Sequence, residues 1–286
     1  MILEQTNALP NGVEIPKLGL GTWFIDDDAT AEAVRQAAAL GYRHIDTAQA
    51  YGNEPGVGEG VRTSAVPREQ LFITSKLAAE IKTYDHAVAA IDESLTRTGL
   101  DHLDLMIIHS PQPWDQFGGN DRYLDGNRQA WRALENAYNA GKVRAIGLSN
   151  FEQADIDNIL ATCTVAPMVN QILAHISNTP GELIAYSQRH GMLVEAFSPI
   201  AHGELLNNQQ VAEIARRYDV SIPQLSIRYV LQLGLLPLPK TSNPAHMRSN
   251  ADVDFELADD DMELLRNIEN IQDYGDSSVF PVFSKN

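Results

Sequence analysis

The feature that most constrains the fold is a recurrence. Short β-branched or aliphatic runs return at residues 18–22, 43–47, 71–76, 103–109, 143–149, 168–171, 193–197 and 235–239. Between them lie stretches with helical spacing, such as Val88, Ile91 and Leu95, or Val211, Ile214, Ala215 and Tyr218, whose apolar side chains share one face. Eight strands, each followed by a helix and contained in roughly 250 residues, predict an α/β chain of the (β/α)8 TIM barrel class, not an open doubly wound sheet. Asn11-Gly12 predicts a two-residue turn joining segments 8–10 and 13–15 into an N-terminal β-hairpin. The seventh connection is long enough for two helices, with Pro223 opening the second, and residues 259–269 predict an extra helix near the C-terminus. No linker, repeat or composition break divides residues 1–286, so one domain is expected.

Composition narrows the function. Lys and Arg number 21 against 38 Asp and Glu, a net charge of −17 that repels phosphate backbones and anionic lipid surfaces, so neither nucleic acid nor membrane is an expected partner. Cys163 is the single cysteine, and the sequence has neither a leader pattern nor a long apolar window, which together predict a cytoplasmic protein. The acidic runs Asp26-Asp27-Asp28 and Asp259-Asp260-Asp261 stand where helices should begin. Carboxylates there suit the helix dipole, so no metal site is expected from them.

In such a barrel the chemistry belongs at the carboxyl ends of the strands. Asp46, Lys76 and His109 close the second, third and fourth runs, and Tyr51 follows on the loop above the mouth. A phenol titrates near pH 10, and an adjacent ammonium favours its ionised form, which predicts that Lys76 brings Tyr51 toward its working range. Asp46 would anchor Lys76, and His109 would hydrogen-bond a carbonyl oxygen beside the tyrosine hydroxyl. Each residue alone has a structural alternative: a strand cap, a packed rim residue, a solvated cation, a core histidine. Convergence at adjacent strand ends favours the catalytic reading. The segment 110–127 carries Trp114, Phe117 and Tyr123, and with Trp23 it offers an apolar wall for substrate, Trp23 and Trp114 being the first candidates.

Seven motifs then stand in order: GYRHIDTA at 41–48 followed by Tyr51, FITSK ending at Lys76, DLMIIH ending at His109, GKVRAIGLSNF at 141–151, VNQ at 169–171, VEAFSP at 194–199 and LPKTSNP at 238–244. Over nearly its whole length the chain resembles the aldo-keto reductase superfamily, especially its bacterial members like 2,5-diketo-D-gluconate reductase. The resemblance implies NADPH-dependent reduction of aldehydes or ketones, with Asp46, Tyr51, Lys76 and His109 as the catalytic tetrad and Tyr51 as the acid. It implies that Ser149, Asn150 and Gln171 hold the nicotinamide amide and that its ring stacks on Phe197. It also implies cofactor contacts at Thr22, Trp23, Asp46, Ser198, Lys240, Thr241, Ser242, His246 and Asn250, and it suggests a monomer.

Several positions depart from the family pattern. Phe197 replaces a usual tyrosine, keeping the stacking face without the hydroxyl. After Gln171 the chain reads Ile172, Leu173, Ala174, His175 and Ile176, where the family often has an acidic residue and a later His-Pro. His246 stands where NADPH-dependent members usually carry arginine, and Ser249 where a glutamate is usual, which admits NADH as a second cofactor. If the segment from Pro244 is helical, Arg248 faces away from His246 and cannot replace that arginine. The short tail at 272–286 suggests an open site with broad specificity. Two rivals remain: a non-catalytic nicotinamide-binding regulatory subunit of the same fold, as in potassium-channel β subunits, and a metal-dependent barrel hydrolase. The eight histidines form no close pair at a strand end, which disfavours the hydrolase. GVGEG at 56–60 has the wrong spacing for a dinucleotide fingerprint.

Overall fold

The computed structural model describes residues 1–284. An antiparallel hairpin of β1 (Thr6–Ala8) and β2 (Glu14–Pro16) precedes eight parallel strands: β3 (Gly19–Gly21), β4 (His44–Asp46), β5 (Phe72–Leu77), β6 (Leu103–Ile108), β7 (Val143–Ser149), β8 (Val169–Leu173), β9 (Leu193–Phe197) and β10 (Leu236–Leu238). Each pairs with the next, and the Gly21 N–H donates to the Pro239 carbonyl at 3.0 Å, beside a parallel bridge from Gly21 to Lys240. That contact closes the (β/α)8 barrel.

The helices α1 (Asp27–Ala39), α2 (Glu54–Thr63), α3 (Tyr84–Thr98), α4 (Leu124–Asn139), α5 (Gln153–Leu160) and α6 (Gly181–Arg189) cover the outside. The seventh connection holds two, α7 (Gln209–Arg217) and α8 (Ile222–Gln232); Ser221 caps the latter and Pro223 lies in its first turn. Beyond β10 come α9 (Pro244–Ala251) and α10 (Asp259–Arg266). The last is shorter than the expected 259–269, and just past it the Asn267 side chain donates back to the Glu263 carbonyl. Both acidic runs do fall at helix starts, with Asp27 and Asp28 in the first turn of α1 and Asp259, Asp260 and Asp261 in that of α10.

Strand side chains alternate between two environments. Outward residues such as Ile45, Ile73 and Ile146 pack under the helices. Inward residues Phe72, Leu105, Ile107, Ala145, Val169, Leu236 and Leu238 form a separate interior cluster that also takes Leu9 and Ile15 from the hairpin. The hairpin therefore plugs one end of the barrel. Its turn is longer than expected, because Leu9 and Val13 are the last hydrogen-bonded pair and only Gly12, at φ 82°, takes the left-handed conformation.

The glycines of GVGEG lie inside α2 and serve packing, as the spacing argument requires. A Cβ on Gly58 would meet the Thr98 carbonyl oxygen at 1.8 Å, so α2 can approach α3 this closely only with glycine there.

Candidate active site

The mouth opposite the hairpin is built from the carboxyl ends of the strands. After β4 the chain turns at Gln49–Tyr51 and reverses at Gly52, whose φ of 73° suits glycine. The buried Asn53 and Thr47 and the half-buried Gln49 hold this turn. Asn53 donates to the carbonyls of Thr22 and Ile25 at 2.9 Å each, and it accepts from the Thr47 hydroxyl at 2.6 Å. Gln49 donates to the Ala90 carbonyl and the Ser94 hydroxyl and accepts from the Ala78 N–H. The turn is pinned to β3, β5 and α3 at once, and Tyr51 is carried by it.

Lys76, on β5, is wholly buried and donates to Asp46 Oδ1 at 2.5 Å, to the Thr47 carbonyl at 2.9 Å and to the Tyr51 hydroxyl at 3.3 Å. Burial disfavours its charge, but Asp46 and Tyr51 outweigh that, and its pKa is raised. Lys76 is an ammonium. The expected shift of Tyr51 does not survive in net form: burial, with Asp46, outweighs the favourable charge of Lys76, and the phenol is held above its ordinary value. Tyr51 therefore keeps its proton at neutral pH, while Lys76 lies ready to stabilise the phenolate. The His109 ring sits 5.6 Å from the Tyr51 ring, edge on. Burial and Lys76 hold it neutral, and its Nδ1 is buried without a partner, which leaves Nε2 as the nitrogen toward the mouth. The four predicted tetrad residues are brought together.

On the next strands Ser149 and Gln171 are buried register partners, and the Asn150 N–H donates to the Gln171 carbonyl at 2.9 Å. Asn150, at φ 62°, also donates its amide to the His109 carbonyl and the Ser149 hydroxyl at 3.0 Å each. Both N–H bonds of the Gln171 side chain are used, to Asp46 Oδ2 at 3.0 Å and Glu195 Oε2 at 2.7 Å. Its amide oxygen remains as an acceptor. Phe197 is half-buried beyond it, a flat apolar face. A planar aromatic amide, offering one acceptor, two donors and a stacking face, fits this set.

Other predicted contacts are placed less directly. The Thr22 hydroxyl is engaged with the Asp46 carbonyl at 2.9 Å, and Ser198 pairs with His202 at 3.0 Å. Lys240 and Ser242 are exposed at the start of the segment leading to α9, and Thr241 accepts from the Asn243 N–H. In α9, Met247 and Asn250 are buried whereas His246 and Arg248 are exposed on either side of Met247, consistent with their facing apart.

The substrate wall contains Trp23 and Trp114 as expected. Trp114 lies edge-on to His109 at 5.1 Å, and Trp23 stacks 6.2 Å from Tyr51. The tail departs from expectation: it does not leave this wall open. Phe280 and Phe283 pack on Trp23 at 5.0 and 5.9 Å, and Phe283 reaches Phe197 at 6.1 Å. Lys285 and Asn286, the end of that tail, lie outside the described residues. The departure after Gln171 has a role here. His175 is buried and bonds the Tyr274 hydroxyl at 3.0 Å, and Tyr274 in turn packs on Phe283 at 5.1 Å. An imidazole on β8's loop thus anchors the returning tail.

Sequence reasoning missed Glu195, Asn53 and the two tail phenylalanines. Glu195 had a signal, because it lies two residues before Phe197 and so shares its inward face. Asn53 and Phe283 had none short of the tertiary contacts. Among the described residues no cluster of three or more histidine, cysteine or carboxylate side chains could hold a metal, and no helix is long and apolar enough to cross a membrane.

The model of the aldo/keto reductase family matches residues 17–270. The chain is 43% identical over 263 residues to glyoxal reductase of Bacillus subtilis, covering 91% of each protein. It is 39% identical over 260 residues to 9,11-endoperoxide prostaglandin H2 reductase of Trypanosoma cruzi, covering 89% of this chain and 88% of the relative. Among solved structures it is similar to an aldo/keto reductase from Brucella melitensis, with TM-score 0.87 and 34% identity over 94% of this chain and 99% of the other. It is also similar to a Bombyx mori aldo-keto reductase in complex with NADP, with TM-score 0.85 and 31% identity over 98% and 99%.

Proposed function

The chain belongs to the aldo/keto reductase family, and from that premise we propose that it reduces small aldehydes and ketones to alcohols with NADPH, Tyr51 delivering the proton. The observation that carries the reading is the Lys76 ammonium held against Asp46 and 3.3 Å from the Tyr51 hydroxyl. When bound, the dinucleotide supplies the hydride. Ser149, Asn150 and the free amide oxygen of Gln171 would grip its carboxamide, Phe197 would support its ring, and Lys240, Thr241, Ser242, His246 and Asn250 would face its phosphorylated ribose.

The substrate carbonyl oxygen is received between the Tyr51 hydroxyl and neutral His109, whose Nε2–H donates to it and orients it. Tyr51 releases its proton to that oxygen as negative charge develops there. The phenolate left behind faces Lys76, whose charge is fixed by Asp46 and the Thr47 carbonyl and needs no rearrangement. Trp23, Trp114, Phe280 and Phe283 supply an apolar, water-excluding wall that favours aromatic or alkyl carbonyl compounds.

The test is Tyr51→Phe, assayed with NADPH against a panel of aldehydes, diketones and keto acids. Turnover should fall by roughly 10²–10⁴-fold while the Kd for NADPH changes little, because the phenol does not hold the cofactor. Retained turnover removes Tyr51 from the acid role. A wild type that binds NADPH but turns over nothing in the panel would favour the regulatory-subunit reading.

A further inference from the structure

Among the described residues, Glu195 is the one carboxylate in the barrel interior that the tetrad does not use. It sits on β9, fully buried, with Oε2 accepting from Gln171 Nε2 at 2.7 Å and Oε1 without any partner. An acid with half its hydrogen-bonding capacity unmet is costly in such a place. Its neighbours by charge are Asp46 on β4 and Lys76 on β5. On β10 its registered partner is the apolar Leu236.

We infer that Glu195 is a positioning residue for the nicotinamide, fixing the plane of the Gln171 amide so that its oxygen is aimed at the cofactor's carboxamide. This rests on the reading that Gln171 grips that carboxamide. A single hydrogen bond, to Asp46, would locate the Gln171 nitrogen but leave the amide free to swing about it. A second acceptor on another strand defines the plane, and with both N–H groups spent only the oxygen is left to face the mouth. Removing Glu195 would also strand a buried N–H.

Burial, followed by the charge of Asp46, pushes the Glu195 carboxyl up to about 8, against the opposing effects of Gln171 and Lys76. At neutral pH it is uncharged and accepts through a carboxyl oxygen, so Gln171 is not squeezed between two anions. A glutamine at 195 reproduces that neutral acceptor. A methionine of similar length does not.

The experiment compares dissociation constants for NADPH and for adenosine 2′,5′-bisphosphate, which lacks the nicotinamide, by fluorescence or calorimetry in wild type, Glu195→Met, Glu195→Gln and Gln171→Ala. Glu195→Met should weaken NADPH about tenfold, as loss of one well-placed hydrogen bond does, and leave the bisphosphate within about twofold. Glu195→Gln should restore NADPH binding. Equal weakening of both ligands in Glu195→Met, or no rescue by glutamine, overturns the inference in favour of a general packing role. If Gln171→Ala selectively weakens NADPH and Glu195→Met does not, Gln171 keeps its role and Glu195 loses its own. If Gln171→Ala leaves the ratio of the two constants unchanged, the reading of Gln171 fails and takes this inference with it. Should Glu195→Met not fold, Glu195→Ser, whose short side chain cannot reach Gln171, carries the same expectation.

Discussion

A lysine buried to 0% exposure is tolerable only because three oxygens surround it, and that arrangement separates two properties of Tyr51. Burial keeps the phenol protonated at rest, and the ammonium stabilises the anion only as the proton leaves. Asp46, Lys76 and His109 were legible in the sequence because each ends an apolar run and the three runs are adjacent strands. Glu195 escapes that criterion, since it lies within a run and not at its end, and only its two-residue spacing from Phe197 marks its inward face. His246 is exposed on α9 with Arg248 turned to the other side of Met247, and an imidazole lacks the planar fork with which arginine grips a phosphate in two hydrogen bonds. His246→Arg should raise the preference for NADPH over NADH by about tenfold, the scale of one charge-assisted hydrogen bond. Dissociation constants for both cofactors in wild type and variant check this. An unchanged ratio would show that position 246 does not read the 2′-phosphate.

The segment from 110 to 127, which holds one short 3-10 turn at Trp114–Gln116 and runs into the start of α4, is tied down by side-chain hydrogen bonds. Lys82 donates to the Ser110 carbonyl at 2.9 Å and to Asn127 at 2.8 Å, while Asn127 donates to the Pro111 carbonyl and Gln112 ties Gly118, Gly119 and Asp121 together. Burial lowers the Lys82 pKa to about 7 despite the nearby carboxylates Glu80 and Asp155. Trp114 is therefore presented to His109 from a fixed base. Trp114→Ala should raise KM for bulky aromatic carbonyls by about tenfold, the scale of a lost aromatic contact, with a much smaller effect on short aldehydes. Steady-state kinetics on a graded series of substrates measures it; a uniform loss across the series would assign Trp114 to loop packing instead. The returning tail belongs to this scale too. Its path depends on the His175–Tyr274 pair and on Phe283 settling among Trp23, Phe197 and His202.

For the molecule as a whole, the buried ionisable groups set opposing limits on stability. Burial holds His44 down to about 3 and His175 to about 4, and His109 lies well below its ordinary value. In the unfolded chain a histidine titrates near 6.5. Folding energy from keeping these rings neutral is therefore complete above pH 6.5 and lost as pH falls toward 4. Glu195 works in the other direction: its contribution is complete below the ordinary carboxylate range and is lost as pH rises through about 8. Stability should therefore fall on the acid side, whereas above pH 7 the Glu195 loss is opposed by Lys82, lowered to about 7, which gives up its proton in the folded chain before it does in the unfolded one. Urea midpoints from pH 4.5 to 9 in wild type and His175→Gln check the acid limb, which the variant should flatten by about one proton while leaving the profile above pH 7 unchanged. An identical acid slope in the two proteins would remove His175 from this account. The sequence by itself determined the barrel class, the order of its strands and the residues at their ends, because a buried parallel strand must be apolar and its polar terminus then stands out. Tertiary structure alone decided the net proton affinity of Tyr51, the use of Glu195 and the route of the tail. Each depends on how much water is excluded and which distant side chains meet, and neither quantity is written in the local pattern of a chain.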